Sequence, residues 1–344
     1  MMISRRAELV VAYSYDDFPL QPGQLDLRGD NSPPLPIVSA LSTLPGQHAT
    51  DLAFYGDIAG EPGLRGAFAH LFGVRADQVL VTAGGSEALF LALTCITDHG
   101  DTVVIPRPGF PGFEELARLS GLRVTPYDVP GVLPRCGREP LLVCTPHNPT
   151  GVVTAPIDID GTDGWTIWDI SHMSPVGGRI ADFASHLGNR DIIVFSLSKL
   201  LRLPGARVGC LVACDSALLA AATRAKTHLS MSTGRLGQDL AQRVLHHPTT
   251  EIDLAARMAL FAEQRTQMLD AVAASRRVAA VPAADGTHVY LRTIDGCDGW
   301  RLLAEVGVAG LPGVVFNGPS DAVRLCIAQT REVLDQAAQR VSAL

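Results

Sequence analysis

The sequence is poor in several things, and each shortage removes a class of function. It has no basic run of five or more residues, and its 28 Lys and Arg are outnumbered by 35 Asp and Glu. A net charge of −7 argues against a nucleic-acid or anionic-membrane surface, because both need an excess of positive charge. No apolar stretch reaches the roughly 18 residues that a membrane-spanning helix requires. Internal repeats and low-complexity segments are absent. The seven cysteines (95, 136, 144, 210, 214, 297 and 326) form an odd set with no CxxC pair. Several lie in apolar runs, as buried free thiols in a reducing compartment would. The N-terminal residues carry two arginines and then a short apolar stretch that soon turns acidic, unlike a signal peptide. These absences predict a soluble, cytoplasmic protein without a metal site.

What is present is apolar. Hydrophobic residues make up 47% of the 344 positions and charged residues 18%, enough for a large core and more than one domain. Between residues 79 and 213, short β-branched runs alternate with helix-like segments. The pattern predicts strands at Gln78–Thr82, Thr102–Ile105, Leu122–Pro126, Leu141–Thr145, Trp165–Asp169, Asp191–Ser196 and Arg207–Ala213. Helical periodicity marks Ser86–Thr97 and Phe113–Leu119 between them. Near-continuous apolar strands with crossovers imply an α/β fold: a doubly wound, mostly parallel seven-stranded sheet buried on both faces. Residues 128–140 and 152–164, rich in Pro and Gly, read as surface loops. Helices follow at Asp239–Leu245 and Leu254–Ala274. From Val278 the chain reads as α+β, with strands at His288–Arg292 and Val323–Ala328 around a helix at Trp300–Val306. The expected division is an N-terminal arm (1–45), a large domain (46–245) and a smaller C-terminal domain (246–344).

The most informative run is SLSKLLRLPGARVG, where Lys199 follows Ser196 and Ser198, and Arg207 lies eight residues on. An aldehyde cofactor bearing a phosphate would need such a set: an amine for a Schiff base, with hydroxyls and a guanidinium for the phosphate ester. The run resembles the lysine motif of the class I/II aminotransferases of pyridoxal 5′-phosphate (PLP) fold type I. The chain is similar in length to the histidinol-phosphate aminotransferase group.

Other motifs carry the same resemblance, and those of Gly85, Phe110, Asn148 and Asp169 fall at or close after the end of a predicted strand, where ligands of such sheets gather. Asp169 in WTIWDI ends one strand. Alone it could be an ordinary helix cap; the resemblance makes it the carboxylate that keeps the cofactor's ring nitrogen protonated. In CTPHNPTG the resemblance makes Asn148 the donor to the ring hydroxyl oxygen and places its backbone near the substrate carboxylate. In TAGGSEALFLAL, Gly85 and Ser86 open a helix whose N-terminal N–H groups suit a phosphate; Arg207 and Ser196 would add to that site. Phe110 in RPGFPGF would stack on the ring. Tyr55 would reach across a two-fold axis to the neighbouring subunit's phosphate, implying a homodimer with shared active sites. Arg324 in AVRLCIA would clamp the substrate α-carboxylate. The arm at Leu25–Pro36, with Tyr13, Tyr15 and Phe18, would line the substrate pocket.

Two features depart from the aminotransferase pattern. His172 stands where those enzymes have Tyr three residues after the aspartate. An imidazole can also donate to the ring oxygen, and the α-oxoamine synthases of the same fold place His there. Those enzymes, however, stack a His where this chain has Phe110. The segment from Asn148 to Asp169 is also short, with Pro156, Gly161 and Gly164 interrupting any helix. The resemblance therefore implies a PLP-dependent aminotransferase moving an amino group from an amino acid to a 2-oxo acid, with Lys199 as both anchor and proton-transfer base. A PLP-dependent decarboxylase, lyase or oxidase, and a non-catalytic effector-binding protein of this fold, are the alternatives.

Overall fold

The computed structural model describes residues 9–11, 15–41, 53–158 and 163–344. The arm supplies β1 (Leu25–Asp26) and α1 (Pro36–Leu41). The central portion runs α2 (Pro62–Phe72), β2 (Val79–Thr82), α3 (Gly85–Ile96), β3 (Thr102–Arg107), α4 (Pro111–Leu119), β4 (Arg123–Asp128) and β5 (Leu141–Cys144). It continues through β6 (Thr166–Asp169), α5 (Arg179–Ser185), β7 (Asp191–Ser196), α6 (Leu197–Leu200), β8 (Gly209–Ala213), α7 (Ser216–Leu229) and α8 (Arg235–His246). The C-terminal portion comprises α9 (Thr250–Ala274), β9 (Val278–Ala280), β10 (His288–Thr293), α10 (Gly299–Glu305), β11 (Val308–Ala309), β12 (Leu311–Pro312), β13 (Ala322–Cys326) and α11 (Arg331–Ser342).

The expected seven-stranded sheet forms with the order β2-β8-β7-β6-β5-β3-β4. Only β8 runs against its neighbours. Because side chains alternate along a strand, β5 sends Leu141 and Val143 to one face and Leu142 and Cys144 to the other. The first face packs against Phe68 and Phe72 of α2 and Ile180 and Phe183 of α5. The second packs against Leu89 and Leu93 of α3, Phe113 of α4 and Leu218 of α7. Both faces are thus apolar because both are covered by helices. Phe195 meets Phe68 and Phe72 edge-on, with ring centroids 6.2 and 5.4 Å apart, the geometry that aromatic quadrupoles favour.

Four antiparallel strands in the order β12-β13-β10-β9 make the smaller sheet. One of its faces buries Val289, Leu291, Val323 and Leu325 with Met268 of α9, Leu303 of α10 and Leu334 of α11. β1 pairs in parallel with β11, so the arm is tied to this part of the molecule.

Some details differ from the sequence expectation. Arg207 lies outside β8: a 3₁₀ turn at Pro204–Ala206 leads into a left-handed residue at Arg207, φ 51°, and extended pairing starts only at Gly209. Helices α2, α5, α7 and α11 carry no counterpart in the sequence reading. The expected boundary between residues 45 and 46, and Tyr13, lie outside the described residues.

Candidate active site

Strand order and direction bring the motifs to one edge. Cys144, Asp169 and Val194 are adjacent in register across β5, β6 and β7, so the turns after these strands emerge side by side. β8 runs the opposite way, and its first residue, Gly209, pairs with both Thr82 and Ser196. The residues before β8 therefore reach the same edge as those after β2 and β7. This is how Arg207 comes to lie beside the Gly84–Gly85 turn.

That turn is closely built. Gly84 has φ 84°, and a Cβ there would stand 2.7 Å from Arg207 Nη2. The guanidinium donates from Nη2 to the Ala83 carbonyl at 3.1 Å. A Cβ on Gly209 would fall 2.4 Å from the Phe195 carbonyl oxygen and 2.7 Å from the Gly84 carbonyl carbon, so glycine is required where β8 passes beneath. Gly85 and Ser86 open α3, and Gly85 faces Ser171 Oγ and Ser196 Cβ. Ser196 caps α6, its Oγ accepting from Ser198 N and donating to Ser198 Oγ at 2.8 Å. A helix N-terminus, an arginine and two hydroxyls around glycines form a cradle whose donors and charge fit a phosphate.

Lys199 lies within α6, just past this cradle. Its side chain is accessible to solvent, yet the surrounding walls crowd the ammonium. Burial, and then the positive charge of Arg324, lower its pKa, against the pull of Asp30 and Asp169. A lysine so placed is more readily neutral, as a nucleophilic amine must be. Asp169, at the end of β6, accepts from Ser171 N at 2.9 Å. Burial raises its pKa, while the Ser171 hydrogen bonds and Lys199 oppose the rise. A protonated ring nitrogen would supply the cationic partner that this buried carboxylate favours.

Arg324 is buried on β13, opposite Tyr290 of β10. Its Nη1 donates to Asn148 Oδ1 at 3.0 Å and its Nη2 to the Arg28 carbonyl at 2.7 Å, while its guanidinium lies 4.8 Å from the Phe316 ring centroid. Nε is buried with no hydrogen-bond partner among the described residues. Burial lowers this group's pKa. A guanidinium held flat, desolvated and missing one acceptor is suited to a carboxylate. With Asn148 Oδ1 engaged, the amide nitrogen is the atom of Asn148 left to donate.

His172 is buried, and desolvation followed by Lys199, Arg324 and His147 drives its pKa down to about 3. The same burial lowers His147 to about 3. His288, on β10, meets His172 edge-on at 4.9 Å. The sequence reading placed a strand at His288 but assigned the residue no role. Nothing local marks it; only pairing with β13 sets it near Arg324.

Two further expected site residues have the following surroundings. Phe110 packs edge-on against Phe113 at 5.5 Å and borders a cavity of about 450 Å³ that Arg107, Glu114 and Asn317 also line. Tyr55 is 79% exposed, on a turn where the Gly56 N–H donates to Ser232 Oγ.

The sequence pattern of the family described as aminotransferase class I and II matches residues 18–341. The chain belongs to this family. A histidinol-phosphate aminotransferase of Chlorobium phaeobacteroides is 30% identical over 208 residues, covering 56% of each chain, so the match spans only about half of that relative's length. A methionine aminotransferase of Escherichia coli is 27% identical over 331 residues, with 84% of each chain covered. The crystal structure of an aminotransferase from Mycobacterium tuberculosis superposes with a TM-score of 0.83 at 21% identity, over 100% of this chain and 98% of that one. That likeness establishes the aminotransferase fold. In this fold the larger sheet is mostly parallel, with helices on both faces, as found here.

If Arg324 binds a carboxylate, Arg324→Ala should raise KM for carboxylate substrates by an amount on the order of 2–5 kcal/mol, the usual loss when one member of a buried charge pair is removed. Steady-state kinetics on a folded variant would measure it. An unchanged KM would assign the clamp to another residue.

Proposed function

We propose that the protein is a PLP-dependent aminotransferase that moves an amino group between an amino acid and a 2-oxo acid. The observation that carries this reading is the convergence of Lys199, Asp169, Asn148, Arg324 and the Gly85–Arg207 cradle at one sheet edge. When bound, PLP supplies an aldehyde that takes up the amino group and a ring that delocalises the electrons released at the substrate α-carbon. Lys199 would hold the aldehyde carbon and then move the α-proton, for which its lowered pKa suits it. Asp169 would hold a proton at the ring nitrogen. Asn148 and His172 would donate to the ring oxygen, and Gly85, Ser86, Ser196 and Arg207 would hold the phosphate. Phe110 would flank the ring, and Arg324 would orient the substrate carboxylate. The arm (1–45), large domain (46–245) and small domain (246–344) would meet around this cleft.

The same residues could serve a lyase or decarboxylase, and His172 in place of tyrosine makes the distinction worth measuring. A donor amino acid alone should abolish the bound cofactor's visible absorbance stoichiometrically, and a 2-oxo acid should restore it. Many turnovers releasing ammonia or carbon dioxide without any oxo acid would reject transamination.

The exposed Tyr55 supports a homodimer in which this residue completes the partner's phosphate site. Sedimentation of the holoprotein should show a dimer. A fully active monomer would remove Tyr55 from the site.

A further inference from the structure

The turn between β9 and β10 belongs to the smaller sheet but is fastened to the larger domain. The N–H groups of Ala284 and Asp285 donate to the Gly151 carbonyl at 2.9 and 3.2 Å. The Asp285 carboxylate pairs with Arg179 of α5 at 2.7 Å and lies 3.9 Å from Arg265 of α9. Arg265 also donates to the Gly286 carbonyl at 3.0 Å. Gly286 has φ 82°, and a Cβ there would lie 3.2 Å from Pro146 Cβ and 4.0 Å from His172 Cβ. A side chain at this position would be strained by the backbone and crowded by its neighbours. The effect of this anchoring is to set the buried Thr287 hydroxyl 3.4 Å from His172 Nδ1.

We propose that Thr287 is a positioning residue: its hydroxyl donates to His172 Nδ1 and so fixes the imidazole proton on Nε2, the nitrogen left to donate to the cofactor's ring oxygen. This rests on the reading of the site as one for PLP. A neutral imidazole has a single N–H, and the partner of one nitrogen decides which nitrogen carries it. His172 is neutral here because burial desolvates it and because the groups facing it, Lys199, Arg324, His147 and His288, add positive charge or none. Without the hydroxyl, Nδ1 would be left as a buried acceptor, and the proton would be free to move onto it. That would turn Nε2 from donor to acceptor. The small domain thereby governs a proton on the large-domain side of the cleft.

The test uses ¹⁵N-histidine-labelled protein, with resonances assigned by comparison with H172Q. In the apoprotein at neutral pH, His172 should be the Nε2–H tautomer; T287V should populate the Nδ1–H form, and T287S should restore the original. In the holoprotein, T287V should raise the pH of the cofactor's visible absorbance transition by roughly one pH unit, because a weaker donor to the ring oxygen favours retention of a proton nearby. T287S should return it. An Nδ1–H tautomer in the wild-type protein, or T287V with tautomer or transition unchanged, overturns the proposal. The apoprotein measurement needs no cofactor, so its outcome stands apart from whether PLP binds at Lys199.

Discussion

Replacement of Lys199 by alanine should abolish amino-group transfer, with a loss of several orders of magnitude, while leaving the fold intact. Lys199 projects from a four-residue helix whose N-cap is secured by Ser196, and its ammonium makes no hydrogen bond or ion pair among the described residues. Truncation therefore removes chemistry without removing a structural contact. The amine is poised for that chemistry because burial and Arg324 make its charge costly, which raises the fraction able to attack an aldehyde carbon. Borohydride treatment of the wild-type holoprotein should leave the chromophore attached to the peptide containing Lys199, and the variant should carry no label. Activity retained in Lys199→Ala, or label recovered on another lysine, would reject the assignment.

Asp169→Asn should keep the protein folded and able to bind the cofactor, yet lose the half-reaction by several orders of magnitude. An amide has no charge with which to hold a proton at a ring nitrogen, and without that proton the ring accepts electrons poorly. The stability of the apoprotein should move the other way. Burial raises the folded pKa of Asp169 above its ordinary value. Such a group adds stability below its unfolded pKa and loses it as pH rises through the folded pKa. At neutral pH the ionised carboxylate is thus a cost, and the apo variant should melt at the same temperature as wild type or higher. Turnover near that of wild type would make Asp169 a structural residue, as would a variant that melts well below wild type.

The two variants differ in what they ask of the fold. Lys199 lies on an accessible short helix, where its position follows from the residues on either side. The placement of Asp169 depends on β5 and β7 flanking β6.

The sequence alone determined the sheet. Runs such as LLVC (141–144) and IIVF (192–195) are apolar at every position, which a strand tolerates only when helices cover both faces; the two hydrophobic clusters bear this out. It also located Lys199, Asp169, Asn148 and Arg207, because each lies beside a strand end with a distinctive local motif. Helix α2 was illegible because Gly63 and Gly66 on its exposed face lower its helix propensity; packing of Leu64, Phe68 and Phe72 against the sheet outweighs that weak propensity. Only the tertiary structure decided that antiparallel β8 carries Arg207 back to the Gly84–Gly85 turn. The same is true of the ladder that sets Arg324 opposite Tyr290 and His288 opposite Cys326. His172 illustrates both limits: its position was readable three residues after Asp169, but its partners were not. Thr287 lies 115 residues away, joined to it by a turn whose anchors come from α5, α9 and Gly151. Local patterns encode which way a strand faces, whereas a contact between residues attached to two different sheets exists only once the chain has closed.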